Sequence, residues 1–172
     1  VPDVQVAQKS KGININVYID GTYSMSGYVK SVKGTTNFID ALKGIEKTAN
    51  SNWDKDTVQY IKFGDTYQNL NRDDFFNSIK KENFYNQVNT KLEDVISKSD
   101  TKKLNIIVTD LFQTDQNLES LKIALKNKRI IGPDSALAII GLKSQFNGKI
   151  YDVTQDGKPL AYNSAEDEKA FR

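Results

Sequence analysis

Cysteine and histidine are both absent from the 172-residue chain, and each absence removes whole classes of chemistry. Without cysteine there is no disulfide, thiolate nucleophile or thiolate metal site. The compartment stays open, because many exported bacterial proteins lack cysteine as well. Without histidine there is no imidazole base or ligand, so Ser-His-Asp and Cys-His arrangements are excluded. A divalent metal held here must sit among oxygen atoms, which favours Mg²⁺, Ca²⁺ or Mn²⁺ over Zn²⁺ or Cu²⁺. No apolar run approaches the about 18 residues of a membrane span, so membrane insertion by this segment is not expected. Charge excess is missing too: 24 basic against 22 acidic side chains leave a formal +2. Phosphate recognition needs a concentrated basic field, so nucleic acid is not expected as the main partner. The lysine-rich stretch Lys98 to Lys103 is interrupted by an aspartate and reads as a solvated turn.

What remains is a globular composition, 38% hydrophobic and 27% charged with 3 prolines, at a length that suits one domain with one core. Residues 1–12 are polar and aperiodic, an arm or linker. Residues 13–163 form the expected domain, and 164–172 read as a polar C-terminal helix or the start of a linker. No signal-peptide pattern occurs, and the ends of the chain suit a piece of a longer protein. Ile13 to Ile19 reads as a strand entering a sheet centre, and Thr57 to Phe63 as a second strand, followed by a short edge strand near Tyr67. Leu104 to Asp110 and Ser135 to Leu142 are nearly continuous apolar runs of the kind buried on both faces. Helical spacing occupies Tyr28 to Thr48, Arg72 to Lys81, Thr90 to Ser97 and Asn117 to Asn127. A hairpin is expected around Asn147-Gly148, and a turn at Asp156-Gly157. This order predicts an α/β fold: a doubly wound, mostly parallel central sheet with helices on both faces, a three-layer sandwich. Ile106 to Val108 and Ala138 to Ile140 are expected at its centre.

Chemistry gathers at one rim of such a sheet, outside the carboxyl ends of its strands. Asp20 ends the first strand and Asp110 the strand expected at the centre, so both carboxylates belong on that rim. Thr22 and Ser24 follow Asp20 at alternate positions, a spacing that turns several oxygens toward one point. Two carboxylates brought together repel unless a cation or a shared proton intervenes. Hydroxyl oxygens suit a hard cation, which accepts neutral ligands beside carboxylates and waters.

The stretch Asp20 to Ser24, "DGTYS", followed by Met25, resembles the first loop of the metal-ion-dependent adhesion site (MIDAS) of von Willebrand factor type A (vWA) domains. The family prefers serine where Thr22 stands, an exchange that keeps the oxygen. Thr90 in "NTKLEDVI" is similar to the threonine of the family's second loop, with Val88 and Asn89 where glycines often precede it. Asp110 in "IIVTD" resembles the aspartate of the third loop. The resemblance covers roughly residues 13 to 142. It implies a vWA fold with Mg²⁺, or Ca²⁺ or Mn²⁺, held by hydroxyls of Thr22, Ser24 and Thr90. Asp20 and Asp110 would act directly or through waters. It further implies an open coordination position, completed by an Asp or Glu carboxylate of another protein.

Other readings stand beside it. Asp20-Gly21 also suits a plain turn, and Asp110, Ser24 or Thr90 a helix cap. Asp65, Asp115 and Ser26 read as solvated surface residues, and Thr36 and Asn37 as surface or packing positions within a helix. "IDGT" is similar to the aspartate motif of haloacid-dehalogenase-like phosphatases, but Tyr18 occupies the nucleophile's position, and covalent phosphoryl chemistry then lacks its carboxylate. The chain is too short for the paired domains of actin-like ATPases, and no P-loop occurs. A Mg²⁺-assisted phosphohydrolase using Asp20 and Asp110 is one alternative, though no base or phosphate clamp stands out. A structural interaction domain with a degenerate metal site is another. A binding module without turnover is the expectation.

Overall fold

The computed structural model describes residues 14–30, 34–52, 58–112, 118–128, 130 and 135–167. The expected N-terminal arm lies outside these residues, as does Asp115. Four strands form the main sheet: β1 (Ile15–Asp20), β2 (Val58–Phe63), β3 (Gln68–Leu70) and β4 (Leu104–Val108). Their order is β3-β2-β1-β4, with β1 parallel to β2 and to β4. β3 lies antiparallel to β2, as expected of an edge strand beside Tyr67. Every residue of β1 is buried, because it has a strand on each side and its alternate side chains enter two apolar clusters.

The alternation of β1 distributes its side chains between two apolar clusters. Ile15, Val17 and Ile19 pack with Phe38, Ile39 and Leu42 of α1 (Asn37–Asn52) and with Phe75 and Ile79 of α2 (Phe75–Ile79). Tyr18 faces the other way, toward Leu92 and Val95 of α3 (Leu92–Lys98) and Leu121 of α4 (Leu118–Asn127). The result is an α/β protein with a mostly parallel sheet, compatible with a three-layer sandwich. Val17 and Ile19 are both 0% exposed, each stabilising the fold by about 1.5–3 kcal/mol through apolar burial. Among the described residues no helix is long and apolar enough to cross a membrane.

Beyond the sheet, β5 (Asn147–Ile150) and β6 (Leu160–Asn163) form an antiparallel hairpin, and α5 (Ser164–Asp167) comes directly after it. Asn147-Gly148 opens the first strand of this hairpin instead of turning it. The turn at Asp156-Gly157 lies in the connection, where Gly157 has φ +70° and its N–H donates to Thr154 O at 3.1 Å.

Two expectations need correcting. The helix expected from Tyr28 begins at Asn37, and Tyr23–Tyr28 is a 3-10 turn. Thr36 sets that boundary. Its Oγ1 accepts the Ile39 N–H at 3.2 Å and donates to Tyr28 O at 2.6 Å, so it is a helix cap and not an interior residue. The second correction concerns the sheet centre, which is β1. β4 lies at an end of the sheet, and 138–140 belongs to no strand: Ile139 is 81% and Ile140 88% exposed. An apolar run favours extended backbone, but a strand also needs a neighbour's edge. Residues 143–145, just after this run, are tied to α1. Gln145 Oε1 accepts Asn37 N–H at 2.8 Å and Ser144 Oγ accepts Phe38 N–H at 2.9 Å, while Lys143 O accepts Asn37 Nδ2 at 3.0 Å. These contacts satisfy the free donors at the start of α1 and draw the segment to that helix.

Candidate functional site

The rim of the sheet is organised around Asp20, which is 0% exposed at the end of β1. Its Oδ1 accepts the Thr22 N–H at 3.0 Å and the Thr22 hydroxyl at 2.7 Å. Its Oδ2 accepts the hydroxyls of Thr90 at 3.0 Å and Thr109 at 2.7 Å. Four donors from three loops therefore satisfy one buried carboxylate, the condition under which burying its charge is tolerable. Around it, Thr22 Oγ1 lies 3.1 Å from Ser24 Oγ and 3.3 Å from Thr90 Oγ1.

Asp110 joins this group through Ser24, whose hydroxyl donates to its carboxylate, and its Oδ1 accepts the Phe112 N–H at 3.0 Å. Burial, with a smaller contribution from the nearby Asp20 charge, raises its pKa above the ordinary aspartate value; the two hydrogen bonds oppose this. The backbone turns sharply just beyond it. Leu111 has φ 62°, a left-handed conformation unfavourable for a leucine, and its N–H donates to Thr109 Oγ1 at 3.0 Å. The structure thus brings Asp20, Thr22, Ser24, Thr90 and Asp110 into one hydrogen-bonded group.

Local backbone pairing holds the loops in place. Thr22 forms an isolated parallel bridge with Gln87. Gln87 N–H donates to Gly21 O at 3.0 Å, and Tyr23 N–H donates to Gln87 O at 3.0 Å. The first loop is thereby zipped to the segment that leads to Thr90. Gly21 N–H donates to Phe63 O at 2.8 Å, continuing the ladder past the end of β1. A Cβ on Gly21 would press on the Lys62 side chain, which would have to shift. Lys62 itself is spent locally: its Nζ donates to Asn86 Oδ1 at 2.7 Å and sits 4.8 Å from the centre of the Phe84 ring.

Three contributors are not among the site residues expected from sequence. Thr109 shares the strand end with Asp110, and a hydroxyl beside a strand-end acid is a legible signal. Gln87 is buried, with its side-chain Oε1 accepting Thr66 N–H at 3.0 Å; nothing in the sequence marks it. Asp65, expected as a solvated residue, is exposed but not idle. It accepts Val88 N–H at 2.7 Å, Asn89 N–H at 3.3 Å and Asn89 Nδ2 at 2.6 Å. These bonds lower its pKa, the Val88 N–H most, and tie down the segment just before Thr90.

Chemically, the rim offers two carboxylates and four hydroxyls. Among the described residues no cluster of three or more carboxylate, imidazole or thiolate side chains occurs. A metal held here would therefore rest on hydroxyl oxygens as much as on charge. Comparison with family models, with curated proteins and with solved structures finds no match.

Proposed function

We propose that this chain is a doubly wound vWA-like domain whose rim is a MIDAS. It would hold Mg²⁺, or Ca²⁺ or Mn²⁺, and bind another protein through an Asp or Glu carboxylate. One observation carries the reading. The hydroxyl protons of Thr22, Thr90 and Thr109 go to Asp20, and the Ser24 hydroxyl stands between Thr22 Oγ1 and the Asp110 carboxylate. Thr22 Oγ1 therefore lies 3.1 Å from Ser24 Oγ and 3.3 Å from Thr90 Oγ1, with the Thr22 and Thr90 protons directed to Asp20. Such a group of lone pairs suits a cation. Adjacent oxygens around octahedral Mg²⁺ at its usual 2.0–2.1 Å are about 2.9 Å apart, and around Ca²⁺ about 3.3–3.7 Å apart. The observed separations lie between the Mg²⁺ value and the lower end of the Ca²⁺ range.

In this reading Thr22, Ser24 and Thr90 supply neutral ligands, and Asp110 and Asp20 supply charge directly or through waters. Asp20 also orients three of the hydroxyls. The bound cation would supply a positive centre able to accept a carboxylate from outside. The reading is of binding without turnover, the chain having neither histidine nor cysteine to serve as base or nucleophile.

The test is capture of partners from native extract with and without chelator, beside a phosphatase and nucleotidase screen in Mg²⁺. Capture lost on chelation and in Asp110→Ala is expected. Chelator-insensitive capture that survives Asp110→Ala contradicts the proposal. Phosphate release abolished by Asp20→Ala and Asp110→Ala would replace it with an enzyme.

A further inference from the structure

A cavity of about 450 Å³ opens beside the rim, with Ser24 and Asp110 in one wall. That volume lies within the range of small-ligand pockets. The opposite wall comes from the hairpin, a part of the chain outside the vWA resemblance. Phe146 stands between Tyr28, edge-to-face at 4.9 Å between centroids, and Tyr162 at 6.3 Å, and all three line the cavity. Lys143 and Lys149 add positive charge to the lining.

The hairpin is seated firmly against the first loop. A Cβ on Gly27 would collide with the Phe146 ring, and one on Gly148 would lie 2.7 Å from Gly27 Cα. Only glycine at both positions permits this approach. Phe146 is further fixed by a reciprocal pair: its N–H donates to Ser164 Oγ at 3.0 Å and its O accepts Ser164 N–H at 2.8 Å. An aromatic pocket held this way is formed before a ligand arrives, which reduces the ordering lost on binding.

The geometry points to a bipartite recognition site: the cavity takes an aromatic side chain of the partner while that partner's adjacent carboxylate reaches the rim. The ligand class is thus a segment with Asp or Glu beside Phe, Tyr or Trp. This rests on the proposed cation for its carboxylate half and on the cavity alone for its ring half. Aromatic walls favour an aromatic occupant over an aliphatic one of equal area, because ring edges meet ring faces. Two lysines on the lining suit a ligand of net negative charge.

The experiment uses three capped dipeptides as probes: aspartyl-phenylalanine, aspartyl-alanine and asparaginyl-phenylalanine amides. Affinity and amide chemical shifts are measured in Mg²⁺ and in chelator, with the parent and with Tyr151→Ala, which alters another residue of the cavity lining. The expected result is that aspartyl-phenylalanine binds roughly tenfold tighter than aspartyl-alanine in Mg²⁺, with shifts at 146–151. Tyr151→Ala should narrow that preference and leave the Mg²⁺ dependence of aspartyl-alanine unchanged. Equal, Mg²⁺-dependent binding of the two aspartyl probes overturns the ring pocket and leaves the cation site standing. Mg²⁺-independent binding of both phenylalanine probes at 146–151 supports the ring pocket, while overturning the carboxylate half and the cation with it. No binding by any probe overturns both.

Discussion

Replacing Asp20 with alanine should destabilise the protein by about 3 kcal/mol, even with no metal present. The carboxylate is 0% exposed and accepts four hydrogen bonds. Its removal strands the Thr22 N–H, a backbone donor that cannot turn away, at about 1–3 kcal/mol. The hydroxyls of Thr22, Thr90 and Thr109 lose their acceptor as well. Thr22 and Thr90 can re-pair with neighbours already at 3.1 and 3.3 Å, so these three together cost about 2–3 kcal/mol. Removing a buried charge that repels Asp110 returns about 1–2 kcal/mol. Asp20→Asn should cost less, about 1–2 kcal/mol, because its amide oxygen still receives the Thr22 N–H while Thr90 and Thr109 turn to accept from the amide nitrogen. The assay is urea unfolding in chelator, read as a shift of the midpoint at constant slope. An alanine variant within about 0.5 kcal/mol of the parent would refute the reasoning, since surface-like tolerance is incompatible with this network. An asparagine variant less stable than the alanine one would refute it equally.

Asp65→Ala should destabilise the parent by about 1 kcal/mol at neutral pH through its exposed bonds to Val88 and Asn89. The folded pKa of Asp65 is lowered, so its contribution is present above the unfolded value near 3.9 and is lost as pH falls through the folded value. Parent and variant stabilities should therefore converge in acid, and a difference that persists or grows there speaks against the bonds. Gly27→Ala should cost about 1–3 kcal/mol by forcing Phe146 and the hairpin off the first loop. The check is unfolding together with hydrogen exchange at 146–150, where unchanged protection would contradict the glycine contact. Ile140→Ser should change stability by less than about 0.5 kcal/mol, because the side chain is 88% exposed; a loss several times larger would show residue 140 buried, as the sequence suggests.

How far the fold is legible from sequence differs by element. β1 and β2 are read from apolar runs that stop at polar turns, because burial on both faces favours such runs; β4 carries the same run although it is only half-buried at the end of the sheet, with Leu104 exposed. The segment around Ile139 carries the same pattern and is not a strand, since partner edges are not written locally and the bonds of Asn37 and Phe38 to residues 143–145 compete for the chain. The false start of α1 has a similar origin. Tyr28 and Val29 belong to the 3-10 turn and its end, and Thr36, just before the helix, accepts from Ile39 as its cap. At the rim, Asp20, Thr22, Ser24 and Asp110 are legible because strand-end acids share one edge in a parallel sheet. Gln87 and Asp65 are not, since each acts on loops far away in sequence: Gln87 on Gly21 and Thr66, Asp65 on Val88 and Asn89. Contacts of that kind close long loops and leave no local signature.

The central claim is that the oxygens of the rim hold one divalent cation. Calorimetric titration of the parent, Ser24→Ala and Asp110→Ala with Mg²⁺, Ca²⁺ and Mn²⁺ tests it most directly. The account predicts a single site in the parent, weakened at least tenfold by either substitution, the change expected when about 1.4 kcal/mol or more of ligand interaction is lost. Equal binding by all three proteins, or no binding by the parent, would contradict it.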